Sequence, residues 1–148
     1  MKSEFEIEIF EKLDQLPHFN PDLDNENVPK SVTEFRNKIA QADGVLICTP
    51  EYVFSLPGTL KNALEWCVST TVFSGKKTGL VTASASGEMG HEQLLLVMKT
   101  LEAKFDNSST LLIQGIRGKM DSEGKITNSE TVKALADFIN DFENQFFE

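Results

Sequence analysis

The residues best able to do chemistry in this 148-residue chain do not form a conventional acid–base or nucleophile set. His18 lies between Pro17 and Phe19 in a proline-rich stretch and His91 at the start of a helical pattern, and both read as packing or surface residues. Cys48 sits in an apolar run and Cys67 in a helical pattern, with no Cys-x-x-Cys pair or metal spacing, so both read as reduced packing residues. Two loops stand out instead. Residues 49–57, Thr-Pro-Glu-Tyr-Val-Phe-Ser-Leu-Pro, set an aromatic pair between prolines that fix backbone angles, a stiff arrangement suited to a flat ligand. Residues 84–90, Ser-Ala-Ser-Gly-Glu-Met-Gly, are mostly small and lead into a helix, so their backbone N–H groups can approach a ligand edge. Glu51 reads equally as an acid and as a solvent-facing carboxylate, Trp66 as core, and Arg117 and Lys119 as a solvated basic turn.

The elements that must position these loops follow from the hydrophobic pattern. Residues 45–48 form a short uninterrupted apolar run, and 79–83 and 110–114 are largely apolar, which is how strands covered on both faces of a parallel sheet read. Helical patterns separate them. Pro29 opens one with Val32, Phe35, Ile39 and Ala42 on a single face, closed by Asp43-Gly44. Leu60, Ala63, Leu64 and Cys67 mark a second between residues 57 and 68, and Leu94, Leu95, Met98, Leu101 and Phe105 a third. Asn128 or Ser129 caps a last helix carrying Val132, Leu135, Ile139, Phe142 and Phe146. Strands alternating with single helices predict βαβ units and a parallel α/β sheet whose ligand loops follow Cys48, Ala83 and Gln114, at the carboxyl ends of the strands. The charged and apolar alternation of residues 4–10 predicts an edge strand, and residues 16–24, with two prolines, a loop.

Fourteen basic against 23 acidic side chains give a formal net charge of −9, spread along the chain, which argues against a nucleic-acid backbone as main partner. With 40% apolar and 25% charged residues the chain reads as one ordinary globular domain, residues 1–148. No run approaches the ~20 apolar residues of a membrane span, and the acidic start does not read as a signal peptide, so the expected location is the cytoplasm.

The run Thr49-Pro50-Glu51-Tyr52, followed by Ser55-x-Pro57-Gly58-x-Leu60-Lys61-Asn62-Ala63-x-Glu65-Trp66, resembles the signature of the NAD(P)H-dependent FMN reductase family. The likeness extends to the Leu16-Pro17-x-Phe19-Asn20-Pro21-Asp22-Leu23 loop and to the Ser/Gly loop after the next strand. It implies a flavodoxin-like three-layer α/β/α sandwich and an oxidoreductase carrying hydride from NAD(P)H through FMN to a quinone, flavin, azo or metal acceptor, with no protein acid or base required. It also implies that the backbone of Pro50, Glu51, Tyr52 and Val53 and the side chain of Tyr52 line the isoalloxazine and that Ser84, Ser86 and Gly87 approach its pyrimidine edge, while Ser55, Lys61 and Asn62 are mainly structural. Members more often carry Asn where this chain has Val53. Related flavoproteins pair through the helix that follows this loop, so a homodimer or homotetramer is expected, with Phe54, Trp66 and Phe73 as exposed apolar surface.

The resemblance departs at the front. Members begin with an apolar strand and a Gly-Ser-x-Arg loop that holds the FMN phosphate, and these 148 residues contain neither. In the flavodoxin-like order 2-1-3-4-5 the absent strand would lie between residues 4–10 and 45–48, leaving two open edges. Three glutamates on one face of residues 4–10 suit an exposed edge and not that doubly covered slot, so the expectation is truncation relative to the family, with FMN affinity reduced or lost. The alternative is a flavin-carrier or interaction module of the same fold. A response-regulator-like domain would need clustered acidic residues after the first central strand, which are absent.

Overall fold

The three apolar runs pair side by side into one parallel sheet in the computed structural model, which describes residues 5–147. Its strands are β1 (Gly44–Thr49), β2 (Lys77–Ser84) and β3 (Thr110–Gln114), in spatial order β1-β2-β3, with Ile47 opposite Leu80 and Leu80 opposite Thr110. The helices are α1 (Lys30–Gln41) before β1, α2 (Gly58–Glu65) and α3 (Glu88–Thr100) in the two crossovers, and α4 (Ser129–Asn144) after β3. The starts predicted from proline and asparagine hold: Pro29 precedes α1, and the Asn128 carboxamide oxygen accepts the Thr131 N–H at 2.9 Å. Three parallel strands in sequential order, joined by helical crossovers, are the arrangement expected of a flavodoxin-like α/β fold.

Side-chain alternation along the strands builds two apolar layers. Ile47 and Leu80 meet Val32, Phe35 and Ile39 of α1, Ala63 and Leu64 of α2, and Leu94 and Met98 of α3 in the larger cluster. Val81 and Ile113, on the other face, meet Phe138 of α4. Each fully buried aliphatic side chain contributes on the order of 1.5–3 kcal/mol, so the larger layer is what fixes the sheet beneath the loops at its carboxyl end.

Several expectations are corrected. Residues 5–10 form no strand; Ile7 and Ile9 are more than three-quarters exposed, and the segment is held to α1 through Phe10 against Phe35 and a Glu8–Lys38 ion pair. Residue 4 lies outside the described residues. Period-two alternation dictates which side chains share a face, but a ladder also needs an adjacent edge, and this segment rides on a helix. β1 is covered on one face only: Ile47 and Thr49 are buried, whereas Leu46 is 55% exposed and Cys48 is also exposed, so Cys48 is not a packing residue. The cause is that α4 sits over β2 and β3, where Phe138 reaches Val81 and Ile113. Within α4, Thr131 and Phe138 face inward while Val132 and Ile139 are half exposed, a rotation of the helix away from the face expected for them.

The third helix ends at Thr100, leaving Phe105 outside it. Glu102 takes a left-handed φ of 62°, its N–H meets the Lys99 carbonyl at 3.0 Å, and the Ala103 N–H meets the Met98 carbonyl at 3.1 Å. This is a Schellman stop with glutamate in the place that usually takes glycine, which is why a glycine search does not find it. Trp66 and Phe73 are buried and supply no exposed apolar surface, while Phe54 does.

Candidate functional site

Two loops leave the carboxyl ends of adjacent strands, which is where a parallel sheet presents ligand-binding backbone. In the first, after β1, the Thr49 hydroxyl donates to the Pro50 carbonyl at 2.9 Å. The chain then folds into a two-residue hairpin: the Tyr52 N–H donates to the Ser55 carbonyl and the Ser55 N–H to the Tyr52 carbonyl, both at 3.0 Å. Its central residues, Val53 with φ 50° and Phe54 with φ 57°, are both left-handed. Asn and Gly favour such a turn, and a β-branched valine resists it. The hairpin nonetheless holds Tyr52, Val53 and Phe54 out into solvent at 61, 94 and 70% exposure.

The second loop, after β2, is clasped to the first. The two Glu51 carboxylate oxygens accept the Gly87 N–H at 3.2 Å and the Gly90 N–H at 2.8 Å. The Ser84 hydroxyl accepts the Glu51 N–H at 3.2 Å and donates to the Glu51 carbonyl at 3.4 Å. Gly87 caps the start of α3 with a left-handed φ of 82°, which favours glycine, whereas the 2.9 Å approach of a Cβ to Leu112 Cδ1 could be relieved by the leucine side chain. At Gly90 a Cβ would meet the Glu51 side chain at 3.0 Å, so the absence of a side chain is what lets the carboxylate reach the helix start. The exposed Ala85-Ser86 turn is the part of this loop that faces solvent.

Behind the loops lies a scaffold. The Asn62 side chain accepts the Phe19 N–H at 2.7 Å and donates to the Pro17 carbonyl at 3.0 Å, and the Trp66 indole N–H donates to the same carbonyl at 2.8 Å. Arg36 of α1 donates to the Trp66 carbonyl and pairs with Asp24, both groups largely buried; the Ser69 and Arg36 bonds hold the Asp24 carboxyl below the ordinary carboxylate range. Ser55 bonds Gln93 of α3, and Lys61 pairs with Glu65. His91 shares a 2.8 Å hydrogen bond with the buried Thr82, and burial pushes its imidazole below the ordinary histidine range, so it is neutral at pH 7. His18 is exposed. No group of three metal-ligating side chains occurs among the described residues.

The seven residues singled out for a flavin ring thus fall at one place, but not all face solvent. Tyr52, Val53 and Ser86 are exposed, and Pro50 and Ser84 are half-buried. The Glu51 carboxylate turns into the protein and the Gly87 N–H is already engaged, so neither points outward as the loop sequence suggested. Gln93 was missed. Its only signal is a spacing of three from Gly90, which puts it on the same side of α3.

The fold and this pair of clasped loops define a flavodoxin-like α/β domain with a candidate site at its strand ends, and comparison with known proteins narrows the class. The sequence profile of the NADPH-dependent FMN reductases matches residues 1–116. The NADH:(hydroxy)cinnamate reductase subunit CrdA of Vibrio ruber is 31% identical over 147 residues, covering 95% of this chain and 72% of the relative. A 2-hydroxy-1,4-benzoquinone reductase of a Burkholderia species is 33% identical over 134 residues, covering 86 and 72%. Among solved structures, FerB, a flavoenzyme NAD(P)H:(acceptor) oxidoreductase from Paracoccus denitrificans, superposes with a TM-score of 0.65 at 26% identity, covering 88% of this chain and 74% of that one. The chain belongs to the NADPH-dependent FMN reductase family, oxidoreductases that use FMN and NAD(P)H.

Proposed function

We propose that this chain seats the isoalloxazine of FMN between residues 50–53 and 84–87 and passes electrons from NAD(P)H to a quinone-type acceptor. The observation that carries the reading is the clasp itself: two loops from adjacent strand ends, tied by Glu51 and Ser84, with an exposed aromatic tip on one and an exposed turn of small residues on the other. An aromatic edge and an unobstructed small-residue turn fit a flat ring. The phosphate is different, because Glu51 already fills the start of α3 and no Gly-Ser-x-Arg loop occurs in the 148 residues. The ring contacts therefore dominate the affinity offered by these residues.

Bound flavin supplies the hydride-accepting chemistry. The protein's own part is to orient two flat rings face to face, with the exposed Tyr52 and Phe54 side chains within the same hairpin available to pack on them. The quinone-type acceptor follows from the benzoquinone reductase relative. The exposed Tyr52-Val53-Phe54 tip suits a homodimer contact, and dependence on NAD(P)H and FMN suits the cytoplasm. A second reading, a flavin-carrier or interaction module, is favoured by one feature, the unpaired outer edge of β1 among the described residues.

Steady-state NAD(P)H oxidation with added FMN and a benzoquinone decides between them. Tyr52→Ala is expected to lower the rate at subsaturating FMN several-fold, since an aromatic contact is worth roughly 0.5–1.5 kcal/mol beyond area. His18→Ala is expected to leave it unchanged. Severe loss in His18→Ala with a normal Tyr52→Ala would place the active site elsewhere, and absence of turnover with flavin bound would favour the carrier.

A further inference from the structure

Among the described residues, Glu51 is the charged side chain that spans the two loops. Its carboxylate accepts from Gly87 and Gly90 at the start of α3, its backbone N–H and C=O are both held by Ser84 of β2, and the next residue, Tyr52, begins the hairpin. Both N–H groups belong to glycines, one with a left-handed φ and one whose missing side chain makes room for the carboxylate, so the helix start is shaped around this acceptor. The resemblance places the backbone of Glu51 along the ring; the geometry turns its side chain away from solvent and toward the protein.

We propose that Glu51 is a positioning residue, an internal carboxylate clamp that sets the separation of the two ring-framing loops. It also takes up the amide donors of α3 and so directs an anionic part of a ligand away from that helix start. The proposal rests on the flavin reading of the site. One oxygen for each N–H is needed: glutamine keeps a single acceptor and turns an NH2 donor toward the other amide, while alanine keeps neither. The backbone bonds to Ser84 survive in both variants, so the loop stays attached but its spacing is no longer fixed.

The test uses the 148-residue chain, with riboflavin as the probe so that phosphate anchoring does not enter. Wild type, Glu51→Gln and Glu51→Ala are compared by amide hydrogen exchange and by riboflavin fluorescence titration. Exchange at Gly87 and Gly90 is expected to accelerate about tenfold or more in both variants, as loss of a charge-assisted hydrogen bond implies, with the Leu80 amide in β2 unchanged as a control on global stability. The riboflavin Kd is expected to rise about tenfold as well. Unchanged exchange would overturn the clamp. Faster exchange with an unchanged riboflavin Kd would leave only a helix cap and overturn the positioning role. A wild-type chain that binds no riboflavin would instead bring down the flavin reading, and the positioning role with it, a result distinct from both.

Discussion

Arg36 joins three parts of the chain that must hold still for the site to exist: it leaves α1, donates to the Trp66 carbonyl after α2, and pairs with Asp24 of the proline-rich loop at 2.8 Å, with its guanidinium 5.9 Å from the Trp66 ring centre. Removing it strands a largely buried carboxylate, so Arg36→Ala is expected to cost about 2–3 kcal/mol, at or just below the range for buried pairs, measured by urea unfolding. Acid acts on the same network. Asp24 has a folded pKa below its ordinary 3.8, so the stability it contributes is present above that value and is lost as pH falls through the lower, folded one. His91 acts earlier: its folded pKa lies below 6.5, so the unfolded chain binds the proton first and stability declines as pH drops below 6.5 toward the folded value. His91→Gln is expected to flatten that upper part of the pH–stability curve and leave the lower part intact; a curve unchanged from wild type would contradict the burial of this ring. The cysteines separate by accessibility. Cys48 is exposed, while burial pushes the Cys67 thiol up to about 12, so a thiol reagent is expected to titrate one sulfur in the native chain and two in urea.

At the level of elements, the hairpin at residues 52–55 is the strained one. Val53 and Phe54 both sit in left-handed backbone, a cost on the order of 1–3 kcal/mol for each non-glycine residue so held. Val53→Asn, which tolerates left-handed backbone better, is therefore expected to raise stability by about 1 kcal/mol in thermal melts, with the hairpin unchanged; a lower melting temperature would mean that Val53 makes a contact that offsets its strain. This turn shows why the sequence is only partly readable. The parallel strands and all four helices were legible because apolar runs and periodic faces act through burial, which dominates the energy of a core. A left-handed Val-Phe turn and a glutamate in a Schellman stop carry no such signature, since tertiary contacts impose backbone angles against local preference. The inward turn of Glu51 was hidden for a related reason: a loop sequence shows an ionisable group but not the amide donors that another strand brings to it. Gly87 also changes meaning. Its positive φ makes Gly87→Val a folding defect before it is a ligand-site defect, so it is a poor probe of the ring.

For the whole molecule, the unequal covering of the sheet matters most. Leu46 and Cys48 on β1, with Val132 and Ile139 on α4, stay exposed, and β1 has an open outer edge among the described residues. Open edges beside apolar surface promote association, so Leu46→Lys is expected to reduce concentration-dependent self-association in sedimentation velocity while changing stability by less than about 0.5 kcal/mol. The open edge and the clasped loops are separate features of one sheet, the first along its side and the second at the carboxyl ends of its strands. A shallow cleft lined by Phe5, Asp43, Lys77, Phe146 and Phe147 lies near the amino ends of β1 and β2, away from the loops, and serves as an internal comparison. The most direct test of the account is a two-dimensional amide NMR titration of the 148-residue chain with FMN, which registers weak as well as tight binding. The account predicts that shift changes concentrate at residues 51–55 and 84–88 and shrink in Tyr52→Ala. Changes centred on Asp43 and Lys77, or none at millimolar FMN, would contradict it.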